Sequence, residues 1–241
     1  MIEKPVLVIH ESGKSLYRSW RGEDIQTTWG TVPSESIRDA LEKGPVRVET
    51  GKTRFLVLRP LLRDEIQNAE RGARPLYEYD SGVAAALMSL QKGMVLLESG
   101  TGSGCATMVF AQFVDKVVSL EKKERFFEIA KSNLERAGID NVVLRNEDLL
   151  DAELDEYDAV FLDLLEDVKA IRKTESALKP GGFMCVFSPV EAKVSACVET
   201  MRELGFVCIE TVRLGLKRRA ADPKAKLSPC FPGFFVVGRK F

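Results

Sequence analysis

The sequence predicts a two-domain α/β protein, in which a doubly wound, mostly parallel sheet follows a small β-rich N-terminal domain. From Met94 onward, apolar runs of strand length alternate with segments whose apolar residues recur at helical spacing. Repeated strand–helix units of this kind form parallel sheets with helices on both faces. No helical pattern separates the last two predicted strands, so we expect them to pair antiparallel and to give the sheet an antiparallel final strand.

The N-terminal domain is predicted over residues 1–75 because its apolar runs are short and glycine turns separate them. The β-type runs are Val6–Ile9, Val46–Glu49 and Arg54–Leu58. The turn signals are Ser12-Gly13, Arg21-Gly22, Trp29-Gly30 and Thr50-Gly51. A linker around Arg71–Pro75 precedes the second domain, residues 76–241, which opens with a helix at about Tyr79–Leu90.

The pattern of the second domain predicts a regular series of strands and helices. In the longest predicted helix, apolar residues recur at helical spacing, and Gly138 suits the position just after its end. The predicted strands are Met94–Glu98, Lys116–Leu120, Val142–Leu144, Ala159–Leu162, Phe183–Phe187, Phe206–Val212 and Phe234–Val237. The predicted helices lie near Gly104–Phe113, Lys123–Ala137, Val168–Leu178 and Val190–Leu204, with Lys179-Pro180-Gly181-Gly182 closing the third.

The composition argues against a membrane protein, a secreted protein and a metal-binding protein. No run of about 18 apolar residues is present, so we expect no membrane span. The N-terminus lacks a basic region followed by an apolar segment, which favours a cytoplasmic protein over a secreted one. With His10 as the single histidine and no Cys-x-x-Cys pair, we expect no metal site.

Charge is distributed unevenly along the chain. Residues 76–210 carry a net charge of −10, whereas residues 211–241 hold 8 Lys and Arg against 1 Asp. A basic tail on an acidic body suggests a polyanionic partner that is met through one surface. A solvated face that only balances the acidic body is an equally good interpretation of charge alone.

The most informative segment is Glu98–Gly104, in which three alternating glycines follow a buried strand: Gly100, Thr101, Gly102, Ser103 and Gly104 follow Glu98 and Ser99. Glycines here let the backbone turn tightly and approach a ligand. The spacing differs from the Gly-x-Gly-x-x-Gly of dinucleotide sites, and no Walker A loop is present. Glu98 would repel a phosphate but accept the ammonium of a methionine moiety, which favours S-adenosylmethionine as the cofactor.

Acidic residues end the next strands, where ligands of such sheets bind. Glu121 can accept both hydroxyls of a ribose, Asp148 can accept from an adenine amino group, and Asp163 would face the reactive end of the cofactor. Taken singly, Asp148 and Asp163 could simply cap the helices that follow them. Four acids at successive strand ends beside one glycine loop favour a binding site.

These residues and three further segments make the sequence similar to the TrmI-type tRNA (adenine-N1) methyltransferases. This family belongs to the class I methyltransferases, and the resemblance leads us to expect an archaeal source. The segments are Arg71–Asp80, Thr28–Pro33 and Gly233–Lys240. The resemblance implies S-adenosylmethionine as cofactor, an adenine of the tRNA T-loop as acceptor, and a homotetramer that binds tRNA across subunits. It further implies that the glycine loop holds the methionine part, that Asp163 lines the acceptor pocket, and that Tyr77 contacts the target base.

The segment after Asp163 departs from the family pattern, because Leu164–Val168 contains neither the usual prolines nor the usual tryptophan. A class I methyltransferase that acts on a small molecule or a protein therefore remains the alternative. A non-catalytic RNA-binding subunit ranks third, since such a subunit would usually lose the glycine loop or Asp163, and the glycine spacing disfavours a nicotinamide dehydrogenase.

Overall fold

The structure, a computed structural model, describes residues 4–72, 76, 78–164, 167–215 and 233–241. The chain folds into two compact units. The first consists of Met1–Ala69 with Glu135–Gly138, and the second of Glu70–Leu134 with Ile139–Phe241. The proposed domain boundary at residue 75 stays a prediction.

The first unit is built on a four-stranded antiparallel sheet in the order β2-β1-β6-β5. Its elements are β1 (Lys4–His10), β2 (Ser15–Trp20), β3 (Ile25–Thr27), β4 (Gly30–Val32), α1 (Ser34–Glu42), β5 (Val46–Thr50), β6 (Thr53–Leu58) and α2 (Leu62–Gln67). Helix α1 buries Ile37, Ala40 and Leu41, which share one helical face, against a core that includes Val6 and Phe55.

The second unit alternates helices and strands, as the sequence predicts. Its elements are α3 (Glu78–Leu87), β7 (Val95–Ser99), α4 (Cys105–Phe110), β8 (Lys116–Leu120), α5 (Glu124–Ala137), β9 (Val142–Arg145), β10 (Tyr157–Leu162), α6 (Asp167–Thr174), β11 (Leu178–Ser188), α7 (Glu191–Glu203), β12 (Phe206–Arg213) and β13 (Phe234–Lys240). The last residues of α5 belong to the first unit.

The seven strands of the second unit form one sheet in the order β12-β13-β11-β10-β7-β8-β9. The five strands from β11 to β9 pair parallel, and β13 pairs antiparallel with both of its neighbours. The predicted mostly parallel sheet with an antiparallel final strand is confirmed. Strand order reverses beside β7, which places a binding crevice at the carboxyl ends of β7, β8 and β10.

Both faces of this sheet are covered. Neighbouring residues of one strand enter different apolar clusters: Leu96 and Phe161 lie in one, Leu97, Val160 and Leu162 in the other. This alternation follows from the period of two along a strand, and it explains why these strands read as continuous apolar runs.

Two details differ from the sequence prediction. Helix α6 ends at Thr174 rather than Leu178, and β11 begins at Leu178, so Pro180-Gly181-Gly182 lies within the strand. Leu178 pairs with Tyr157, and the register then shifts before Ala159 pairs with Phe183. The extra residues form an irregularity in the ladder, which local turn signals do not reveal. In the first unit, α1 and α2 were not predicted.

In the part of the chain that the structure describes, no helix is both long and apolar enough to cross a bilayer.

Candidate functional site

A cavity of about 320 Å³ opens at the carboxyl ends of β7, β8 and β10. Backbone turns after these strands supply its polar side, and Leu76, Phe126, Leu149 and Leu150 are among its apolar lining residues. Of the predicted site residues, those that line it are Gly100, Thr101, Gly102, Ser103, Glu121, Asp148 and Asp163. The structure therefore brings together residues that lie far apart in sequence.

The glycine loop needs its glycines for conformation and for space. Gly100, Gly102 and Gly104 adopt φ values of +96°, +60° and +77°, which side chains disfavour. A Cβ atom on Gly100 would also lie 2.2 Å from the carbonyl oxygen of Asp163. Gly104 precedes α4 and is not among the lining residues.

Glu98 lies beneath the loop rather than in the cavity wall. It is 1% exposed, and its Oε2 accepts hydrogen bonds from Thr107 Oγ1 and Ser119 Oγ, both at 2.7 Å. Thr101 Oγ1 lies 2.6 Å from Ser119 Oγ and extends this network to the loop. Burial raises the pKa of Glu98 to about 7, although the two hydroxyl donors oppose the shift. Glu98 thus supports the glycine loop from below.

The second buried carboxylate, Glu121, fixes the loop from the neighbouring strand. Its Oε2 accepts from the backbone N–H of Gly102 and its Oε1 from that of Lys123, both at 2.9 Å. Each carboxylate oxygen can accept a further hydrogen bond, so the group can hold its own loop and still receive a ligand's hydroxyls.

Asp148 and Asp163 complete the acidic rim. Asp148 Oδ1 accepts from the N–H of Leu150 at 3.1 Å, and its Oδ2 lies 3.5 Å from Lys122 Nζ. The backbone N–H of Asp163 donates to the Ser99 carbonyl at 2.9 Å, which aligns the end of β10 with that of β7. Asp148 therefore holds a hydrogen-bonded turn at 149–151, where the sequence offered a helix cap as the simpler alternative, and it also lines the cavity.

The sequence analysis did not identify several residues that support the site. Ser119 and Thr107 reach Glu98 only through the register of β7 with β8 and the packing of α4. Asn133 is fully buried on α5 between apolar Ala130 and Leu134. A polar residue on the apolar face of an amphipathic helix is a usable signal for such a position.

The predicted contact of Tyr77 with the target base and that of the basic tail with a polyanionic partner stay predictions. The residues concerned lie outside the described part of the chain: Tyr77, Lys217, Arg218, Arg219, Lys224 and Lys226. No group of three or more His, Cys, Asp or Glu positioned to hold a metal ion occurs in the described segments.

Comparisons with known proteins agree with this architecture. Residues 67–227 match the family described as the tRNA methyltransferase complex GCD14 subunit. The tRNA (adenine(58)-N(1))-methyltransferase TrmI of Thermus thermophilus is 32% identical over 215 residues, which cover 87% of this chain and 82% of that protein.

Two crystal structures cover nearly the whole chain. A SAM-dependent O-methyltransferase from Thermotoga maritima superposes with a TM-score of 0.84 at 25% identity, covering 99% of this chain and 94% of the other. The tRNA (m1A58) methyltransferase TrmI of Aquifex aeolicus gives 0.80 at 24% identity, covering 100% and 98%, and its likeness concerns the fold. The fold is that of a class I methyltransferase, and the chain belongs to the TrmI-type tRNA (adenine-N1) methyltransferase family.

Proposed function

We propose that this protein transfers the methyl group of S-adenosylmethionine to N1 of an adenine in the T-loop of tRNA. The observation that carries the proposal is the cavity at the carboxyl ends of β7, β8 and β10, where the glycine loop meets Glu121, Asp148 and Asp163 in a chain of this family.

The residues present suit S-adenosylmethionine. At Gly100 the backbone lies against the Asp163 carbonyl, a contact that any Cβ would prevent, so the glycine loop and the end of β10 meet at the cavity wall. Glu121 presents carboxylate oxygens to the cavity for ribose hydroxyls, and the Asp148 carboxylate suits an adenine amino group. Two lysines also line the cavity, but Lys122 lies beside Asp148 and Lys123 lies over the Phe126 ring, 5.1 Å from its centroid. An acidic rim whose cations are already engaged favours a positively charged ligand over a polyphosphate.

The Glu98 geometry refines one part of the cofactor proposal. Its carboxylate is buried beneath the loop, and Oε1 has no hydrogen-bond partner among the described residues. Within the proposal, Glu98 acts on the methionine moiety indirectly, because it bonds Ser119, which in turn contacts Thr101 of the glycine loop.

For methyl transfer, the protein mainly has to align the methyl group of the cofactor with N1 of the adenine. S-adenosylmethionine supplies an electrophilic methyl group when bound, and adenine N1 has a free lone pair, so no general base is needed. Asp163 accepts a hydrogen bond from the exocyclic amino group and stabilises the positive charge that the ring gains. Because N1 is buried in folded tRNA, the base must be flipped out, and Tyr77 would contact it there.

The assembly and the RNA surface belong to the same proposal. The basic residues between Arg213 and Lys226 would contact phosphates and position the tRNA without reading its sequence. A homotetramer in the cytoplasm, with tRNA bound across subunits, follows from the family resemblance.

Incubation with labelled S-adenosylmethionine and unmodified tRNA, followed by nucleoside analysis, tests the proposal. We expect 1-methyladenosine in the T-loop. Binding of the cofactor with no methylated nucleoside would contradict it and would favour the small-molecule or protein acceptor instead.

A further inference from the structure

Asn133 connects the glycine loop to the backbone at Glu70. Its Nδ2 donates to the carbonyl of Ser103 and to the carbonyl of Glu70, both at 2.9 Å. Its Oδ1 accepts from the backbone N–H of Glu70, also at 2.9 Å. One fully buried amide thus holds two backbone segments that are 33 residues apart in sequence.

A second contact holds the same segment against α5. A Cβ atom on Gly72 would lie 2.6 Å from Phe126 Cδ1 and 2.8 Å from Ile129 Cδ1. The backbone at residue 72 therefore packs directly on the helix that carries Asn133. Phe126 itself lines the cavity.

Both segments that Asn133 joins lead to the cavity. Ser103 belongs to the glycine loop and lines the cavity. Glu70 lies six residues before Leu76, which also lines the cavity, and seven residues before Tyr77. Glu70 is not a lining residue, so a cofactor in the cavity can affect it only through intervening groups.

We propose that Asn133 is a positioning residue that holds the backbone at Glu70, six residues before the cavity-lining Leu76, against the glycine loop, so that binding of the cofactor at the loop also stabilises the backbone at Glu70. This inference rests on the proposed function and extends it, because it assigns the alignment of donor and acceptor to a residue that touches neither. A displacement of about 1 Å in such an alignment can cost about a hundredfold in rate.

The variant Asn133→Asp tests the proposal with nearly unchanged shape. The carboxylate keeps the acceptor for the Glu70 N–H but loses both donors, and it faces two carbonyl oxygens. We expect kcat for tRNA methylation to fall about tenfold to a hundredfold, with a much smaller change in the KM for S-adenosylmethionine.

Asn141→Asp is the matched control. Asn141 Nδ2 also donates to two backbone carbonyls, those of Ala111 and Val114, at 2.9 and 3.2 Å, and Asn141 is not among the lining residues. This control loses the same chemistry and can lose similar stability, but it should keep kcat. An equal loss of kcat in both variants, or no loss in Asn133→Asp, would overturn the proposal.

Hydrogen exchange of the unmodified protein gives a readout that does not depend on the variant folding. Addition of S-adenosylmethionine should slow exchange of the Glu70 amide, which donates to Asn133, as well as amides of the glycine loop. In Asn133→Asp, protection of the loop should remain and that of Glu70 should be lost. Protection confined to the loop in the unmodified protein contradicts the inference, whereas absence of both cofactor binding and tRNA methylation contradicts the proposed function itself.

Discussion

The loop residue Gly100 lies directly against the backbone of Asp163. A Cβ atom on Gly100 would come within 2.2 Å of the Asp163 carbonyl oxygen, and the Asp163 N–H donates to Ser99, the residue before Gly100. The glycine loop and the proposed catalytic residue Asp163 are therefore placed by backbone contacts between the adjacent ends of β7 and β10.

Gly100→Ala is expected to abolish cofactor binding and to destabilise the protein. Alanine at φ +96° is strained, and its methyl group would overlap backbone that cannot rotate away. Gly93→Ala is the control, because Gly93 has a similar φ of +90° but open space where its Cβ would lie. Thermal unfolding and calorimetric titration of S-adenosylmethionine would measure the effects. We expect Gly93→Ala to cost about 1 kcal/mol of stability and to bind normally. Equal behaviour of the two variants would show that crowding at Asp163 is unimportant.

Glu121→Gln should weaken cofactor binding by about tenfold to a hundredfold, since hydrogen bonds to a charged group contribute about 1.5–3 kcal/mol. Glutamine keeps one acceptor oxygen, so its amide nitrogen must also face the N–H of Gly102 or Lys123. Equilibrium titration with S-adenosylmethionine measures the change. The control Glu175→Gln removes a carboxylate that pairs with Lys240 and is not among the lining residues. An unchanged Kd in Glu121→Gln would argue against a ribose contact.

Asp163→Ala should keep cofactor affinity and lose about a hundredfold or more in kcat, because the variant lacks the acceptor for the adenine amino group and the charge that stabilises the methylated ring. The measurement is methyl transfer to tRNA beside cofactor titration. Asp158→Asn serves as control, since Asp158 lies near the opposite end of the same strand and pairs with Lys179. Undiminished turnover of Asp163→Ala would exclude the assignment.

The parts of this structure that follow from local sequence were predicted well. Runs such as Leu96–Leu97 and Val160–Leu162 are apolar because both sheet faces are covered, and this pattern alone locates the strands. The order of glycines and acids at strand ends then locates the cavity, because parallel strands present their carboxyl ends at one edge.

What the sequence could not reveal depends on contacts between distant segments. The bond from Ser119 to Glu98 depends on the register of β7 with β8, and that from Asn133 to Glu70 spans 63 residues. Glu98 was therefore interpreted as a ligand contact, although the structure places it under the loop. The small helix α1 was missed because its nine residues lie among short β-type runs.

The basic segment gives a prediction that concerns RNA. Replacing Arg218 and Arg219 with alanine should weaken tRNA binding and reduce the slope of log K against log salt by roughly the number of lost phosphate contacts. The double variant Arg172→Ala with Lys173→Ala changes net charge equally on α6 and serves as control. Filter binding at several salt concentrations would measure both. An unchanged slope in the Arg218 and Arg219 variant would exclude this segment as the RNA surface.

The buried carboxyl of Glu98 makes stability depend on pH in a stated direction. Its pKa is raised from 4.5 to about 7, chiefly by burial, so the folded protein holds this proton more tightly than the unfolded chain. The resulting stabilisation is fully present below pH 4.5 and is lost as pH rises through 7, a change on the order of 3 kcal/mol in the free energy of unfolding. Glu98→Gln removes the titration but can still bond the hydroxyls of Thr107 and Ser119, which can rotate. Urea unfolding should therefore show that the free energy of unfolding of the unmodified protein falls between about pH 5 and pH 8. This fall should be smaller in Glu98→Gln and should remain in the control Glu175→Gln. The same decline in Glu98→Gln would mean that another group titrates.

Since Ser119 also contacts Thr101 of the loop, we further expect the cofactor affinity of the unmodified protein, but not of Glu98→Gln, to change over the same pH range.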